Sequence, residues 1–209
     1  MRDPSSNASA ALAGALPPLH GLLLSGGRSM RMGRDKALLD AAGVPQLLAA
    51  FGLLERHVER CFVSLRADQR EEPVRASLPG IIDRAEGIGP AAGLLAAHEA
   101  HPAAAWLVVA CDLPRLQDAT LSALIAARDG RHAAVAYASA HDGLPEPLCA
   151  LWEPPALAAL ATQVQGGRSG LRSALQSIDL LLLPADQGGA LDNANTWQER
   201  ATAARGARD

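Results

Sequence analysis

The chain has 209 residues, 49% of them hydrophobic and 20% charged, with a formal net charge of −3. That length accommodates one sizeable α/β domain or two small ones. A net negative balance with only 3% aromatic residues excludes a general nucleic-acid or anionic-membrane binder, because a broad basic field and stacking platforms are both missing.

Residues 1–18 combine an early Asp3, the polar Ser5, Ser6 and Asn7, and a short Ala-rich core. These make a poor secretory signal, so a flexible tail ending at Pro17 and Pro18 is expected, followed by a single domain over 19–209. No apolar run approaches the roughly 18 residues that span a bilayer. A cytoplasmic location without membrane association is the expectation. Strands are predicted at 19–25, 60–65, 80–83, 105–111, 133–138, 147–152 and 178–183, with helices at 45–58, 90–100, 118–128, 155–164, 169–177 and 196–204. Short apolar runs alternating with longer amphipathic segments predict a mostly parallel sheet covered by helices. The loops 141–146 and 165–169 are the expected mobile segments. Cys61, Cys111 and Cys149 are odd in number and lack CxxC spacing. They read as small buried hydrophobes rather than a disulfide framework or a zinc site.

Open α/β sheets bind ligands beyond the carboxyl ends of their strands, and polar residues gather there. The run LLLSGGRSMRMGRDKALLD, 22–40, is apolar until Gly26 and Gly27 and then carries Arg28, Arg31, Arg34 and Lys36. Paired glycines turn backbone N–H groups toward an anion, and basic side chains neutralise it. The spacing is that of neither a Walker A loop nor a G-x-G-x-x-G loop; the competing reading is a Gly-Gly turn with solvated arginines. Asp112 ends the strand WLVVA at CDLP, where a carboxylate suits Mg²⁺ shared with substrate phosphates or serves the turn after it as a cap. Asp83 precedes the glycine-rich EGIGPAAG and reads either as an acceptor for a ribose or base edge or as an ordinary turn residue. Asn193 and Asn195, in DNANTWQE, suit a metal shell or a phosphate, and Asn195 also suits the N-cap of a terminal helix.

His57, His98 and His101 form no metal-ligand pattern, and no G-x-S-x-G elbow is present, which disfavours nucleophilic hydrolase chemistry.

Taken together, GGRSMRMGRDKALL resembles the leading signature of the molybdenum cofactor guanylyltransferases, G-G-x-S-x-R-M-G-x-D-K-x-L. GPAAG, CDLP, PLCALW and NANT resemble that family's later motifs in the same order. The resemblance covers residues 19 to about 200. It implies a Rossmann-like three-layer sandwich of the nucleotide-diphospho-sugar transferase type, a mostly parallel twisted sheet with helices on both faces. It also implies transfer of GMP from GTP to molybdopterin with release of pyrophosphate, dependent on Mg²⁺. Carried over by position, Ser25, Gly26 and Gly27 would contact the nucleotide, and Arg31 and Lys36 the triphosphate. Asp83 would bind on the nucleoside side and Asp112 would ligate Mg²⁺, with Asn193 and Asn195 beside the metal. Other cofactor-biosynthesis proteins or molybdoenzymes would be its transient partners.

Three positions depart from the family pattern: Trp197 stands for proline after Asn-Thr, Ala91 for leucine in GPAAG, and Glu146 for the histidine often found before Pro147. Arg168, in the basic glycine-rich stretch 165–172, is an acceptor-phosphate candidate on composition alone. Two rivals remain at this level. One is a cytidylyltransferase acting with CTP on the same acceptor, whose first loop and metal motif typically differ from SGG and CDLP. The other is a nucleotide-binding protein without turnover.

Overall fold

Seven apolar runs pair side by side into one sheet, described by a computed structural model over residues 15–25, 36–38, 44–186 and 188–192. The strands are β1 (Leu19–Leu24), β2 (Arg60–Leu65), β3 (Gly80–Ile82), β4 (Ala105–Ala110), β5 (Ala134–Ala138), β6 (Pro145–Trp152) and β7 (Leu180–Leu183). Each lies within two residues of its sequence-predicted bounds. The helices are α1 (Gln46–Glu55), α2 (Pro73–Ala76), α3 (Ala91–Ala100), α4 (Asp118–Ala126), α5 (Pro154–Gln165) and α6 (Leu171–Gln176). The predicted helix 196–204 and residues 1–14 lie outside the described residues. Pro17 and Pro18, expected in the tail, are held by the fold: their carbonyls accept from Arg128 Nη2 (2.8 Å) and Ala105 N (3.0 Å).

The strand order is β3-β2-β1-β4-β6-β5-β7. Among the described residues only β6 runs antiparallel, to both β4 and β5, because 139–144 is too short for a parallel crossover and must turn as a hairpin. β6 also begins earlier than the sequence suggests, so Glu146 stands in a strand rather than in the expected mobile loop.

Alternation divides the core between the two faces. Leu23, Leu107 and Val109 pack with Leu47, Phe51, Leu54, Leu121 and Leu124 under α1 and α4. Leu22, Trp106 and Val108 pack with Leu94, Leu157, Leu160 and Leu175 under α3, α5 and α6. β1 and β4 are buried along their whole length, which is why they read as continuous apolar runs rather than alternating ones.

The chain lays down β1, β2 and β3 outward in one direction and then returns to place β4 on the other side of β1. The crevice beyond the carboxyl ends of β1 and β4 is therefore the point where connections leave in opposite directions along the sheet, β1 toward β2 and β4 toward β5, and a ligand can enter.

Candidate active site

Two polar segments leave the sheet side by side at that crevice. Leu24 is in register with Ala110, and Cys111 N donates to Leu24 O at 3.1 Å, so Ser25 and Asp112 emerge from adjacent strands. Ser25 is buried, and its hydroxyl donates to Ser64 O at 2.9 Å. Gly26, Gly27 and Arg31 lie outside the described residues, as does the side chain of Lys36. The backbone of Lys36 opens a 3₁₀ turn, Lys36–Leu38, whose Ala37 is buried in the core under α1 and α4. Both ends of the basic loop are thus anchored to the fold.

Asp83 follows β3, and its N–H donates to Leu65 O at 2.7 Å. Its carboxylate accepts from Ser64 Oγ at 2.7 Å. Burial pushes the Asp83 carboxyl above its usual value, while the Ser64 hydrogen bond and the positive charge of Arg66 pull it back. Asp83 and Asp112 stand three strand spacings apart, about 14 Å. They cannot share one ion.

Asp112 lies in the turn after β4 and is half-buried. Gln117, not Asp112, precedes the first residue of α4, which removes the capping role the sequence left open. Among the described residues its carboxylate has no hydrogen-bond or ion-pair partner, and no group of three or more His, Cys, Asp or Glu could hold a metal. A lone half-buried carboxylate at an open crevice fits a hard cation that completes its shell with water and substrate oxygens.

The segment after β7 folds back toward this turn. Asp192 lies 4.0 Å from Arg115 and 3.7 Å from His141. Asn193 and Asn195, directly after it, are outside the described residues. Arg168 is exposed in the loop between α5 and α6. That loop lies on the carboxyl edge, because Arg172, just inside α6, donates to Pro145 O at 3.0 Å and to Asp142 at 2.9 Å, where β6 begins.

Three polar residues of this edge escaped the sequence reading. Ser64 lies within the strand expected at 60–65, and Arg172 within the helix expected at 169–177, neither in a motif. Arg75 is fully buried, with Nε 3.4 Å from Ser25 Oγ and Nη1 3.4 Å from Glu72. Glu72 caps α2 ahead of the first-turn Pro73, and its carboxylate accepts from Val74 N and Arg75 N, both at 3.0 Å.

Residues 21–187 match the family described as the MobA-like NTP transferase domain. The chain belongs to that family. It is 35% identical over 182 residues to a molybdenum cofactor biosynthesis bifunctional protein of Synechocystis, covering 87% of this chain and 52% of that protein, so it spans about half that relative's length. It is 33% identical over 204 residues to a molybdenum cofactor guanylyltransferase of Burkholderia lata, covering 92% of this chain and 98% of that protein. Among solved structures, molybdopterin-guanine dinucleotide biosynthesis protein A of Archaeoglobus fulgidus superposes with a TM-score of 0.75 at 20% identity, over 90% of this chain and 98% of that one. The fold is therefore the Rossmann-like sandwich that the motifs implied, and the chain is a nucleotidyltransferase by family. Among the described residues no helix is long and apolar enough to cross a membrane.

Proposed function

We infer that this protein transfers GMP from GTP to molybdopterin and releases pyrophosphate. The observation that carries the reading is the adjacency of Ser25, at the head of the basic glycine loop, and Asp112 at the reversal of the sheet. The near full-length similarity to a named guanylyltransferase supports GTP over CTP, and so do SGG and CDLP.

A terminal phosphate oxygen of the acceptor attacks the α-phosphorus, a new P–O bond forms, and the bond to the β-phosphate oxygen breaks. Such an in-line displacement needs positioning and charge neutralisation rather than a protein nucleophile. No catalytic histidine or triad is required. In this reading Ser25, Gly26 and Gly27 hold the nucleotide through backbone N–H groups, while Arg31 and Lys36 neutralise the triphosphate. Asp83 accepts from the nucleoside, about 14 Å from Asp112. Asp112 and Asn193 would hold Mg²⁺, which when bound supplies positive charge against the pyrophosphate leaving group. In the same reading Asn195 would line the site beside the metal, and Arg168, in the α5–α6 loop, would take the acceptor phosphate.

The test is pyrophosphate release from GTP, CTP and ATP, each with molybdopterin and Mg²⁺. Turnover with GTP alone is expected. Turnover with CTP alone would reassign the donor, and binding of GTP without product would leave a nucleotide-binding protein.

A further inference from the structure

Ser64 sits in the middle of the polar edge but belongs to none of the sequence motifs. It is buried at 2% exposure near the end of β2. Its two polar groups face two different parts of the candidate site. The carbonyl accepts from Ser25 Oγ at 2.9 Å, and the hydroxyl donates to Asp83 Oδ1 at 2.7 Å. Ser25 Oγ in turn lies 3.4 Å from the buried Arg75 Nε. One residue therefore joins the head of the phosphate loop to the carboxylate on the nucleoside side.

The neighbouring helix is shaped to leave room for that hydroxyl. A Cβ added to Gly93, near the start of α3, would run into Ser64 Oγ and come within 3.0 Å of Ser64 Cβ and Leu24 Cδ2. Only glycine lets α3 lie this close to β2 with the Ser64 hydroxyl in place. Gly93 is the last residue of GPAAG, so the motif's glycine has a local steric cause.

We propose that Ser64 is a positioning residue, which aims the Asp83 carboxylate at the nucleoside of the donor nucleotide and locks it to the first residue of the phosphate loop. The inference rests on the nucleotidyl-transfer reading for its functional half. With Oδ1 engaged by Ser64, Oδ2 is the oxygen left to accept from a ribose hydroxyl or a base N–H. A donor hydrogen bond also favours the charged carboxylate in a site where burial opposes it. Arg66 adds its positive charge in the same direction as Ser64, and the charges next to Asp83 are themselves paired. Arg66, after β2, donates to Asp68 at 2.9 and 2.8 Å, and Glu99 of α3 pairs with Arg84 at 2.6 Å.

Two readouts decide the matter in the full-length protein. The first is titration of the Asp83 carboxyl by carbon NMR in ligand-free protein, assigned with Asp83→Asn. Ser64→Ala should move that titration to higher pH. The second is steady-state kinetics with GTP and molybdopterin. Ser64→Ala should raise the KM for GTP by roughly tenfold with kcat nearly unchanged, and the acid limb of kcat/KM should shift upward in pH. Gly93→Ala, which displaces the same hydroxyl from another element, should act in the same direction. In an Asp83→Asn background neither change should alter the pH profile further. An unshifted Asp83 titration in folded Ser64→Ala protein overturns the proposal, as does equal loss of kcat and kcat/KM without a pH shift. If the unaltered protein fails to turn over GTP, the transfer reading falls, and the NMR titration still decides whether Ser64 sets the state of Asp83.

Discussion

Burial of the Asp83 carboxyl disfavours its charged form, and Ser64 and Arg66 offset only part of that cost. The folded protein thus holds this proton more tightly than the unfolded chain. The stabilising contribution is fully present at acid pH and is lost as pH rises through the raised value. Asp83→Asn, which keeps an acceptor for Ser64, is expected to raise the melting temperature near neutral pH and to lose that advantage below pH of about 4. Thermal melts of both proteins across that range check it; destabilisation at neutral pH would contradict it. Activity should fall in the same variant, the result expected of a carboxylate that trades stability for binding. Asp112 differs, having no partner among the described residues. Asp112→Asn should change stability by no more than about 0.5 kcal/mol while lowering turnover by roughly a hundredfold or more. Urea unfolding and pyrophosphate release measure the two halves separately. The sequence named both carboxylates from their places at strand ends. It could not assign Ser64 or Arg75, whose importance comes from neighbours 19 and 50 residues away in the chain.

Among the elements, the end of α4 and the start of α5 are joined at the edge of the sheet opposite the candidate site. Arg128 and Glu153 are both about 8% exposed, with Nη2 to Oε2 at 3.0 Å, and Arg128 also donates to Pro17 O. Removing one partner leaves the other charge buried and unpaired. Arg128→Met should cost about 3–5 kcal/mol in urea unfolding, and the double change Arg128→Met with Glu153→Met should recover much of it. KM for GTP should stay unchanged, which separates this structural pair from the residues at the carboxyl edge. The helices themselves were legible from apolar spacing and from proline at 45, 90 and 154–155. The one-turn helix α2 was not, because four residues present too short a period to read.

At the scale of the molecule, the sheet shields two of the three thiols. Burial, with nearby carboxylates adding to it, pushes both Cys61 and Cys149 up to about 12. Neither carries appreciable thiolate at neutral pH. Thiol labelling of the native protein at pH 8 should therefore spare both, and their modification should follow global unfolding in urea. Rapid labelling of Cys149 without unfolding would show that the β5–β6–β7 part of the sheet opens on its own.

Composition and apolar periodicity determined that this is an α/β chain and placed the seven strands found among the described residues, because each strand's burial is written into its own residues. The ordered motifs GGRSMRMGRDKALL, GPAAG and CDLP determined the family, because each fixes particular residue types at short spacing. Strand order, the reversal between β1 and β4 and the single antiparallel strand were decided only by the tertiary structure. So was the chain of contacts from Arg75 through Ser25 and Ser64 to Asp83. These depend on which distant segments meet, and local propensity carries no record of a partner that lies tens of residues away.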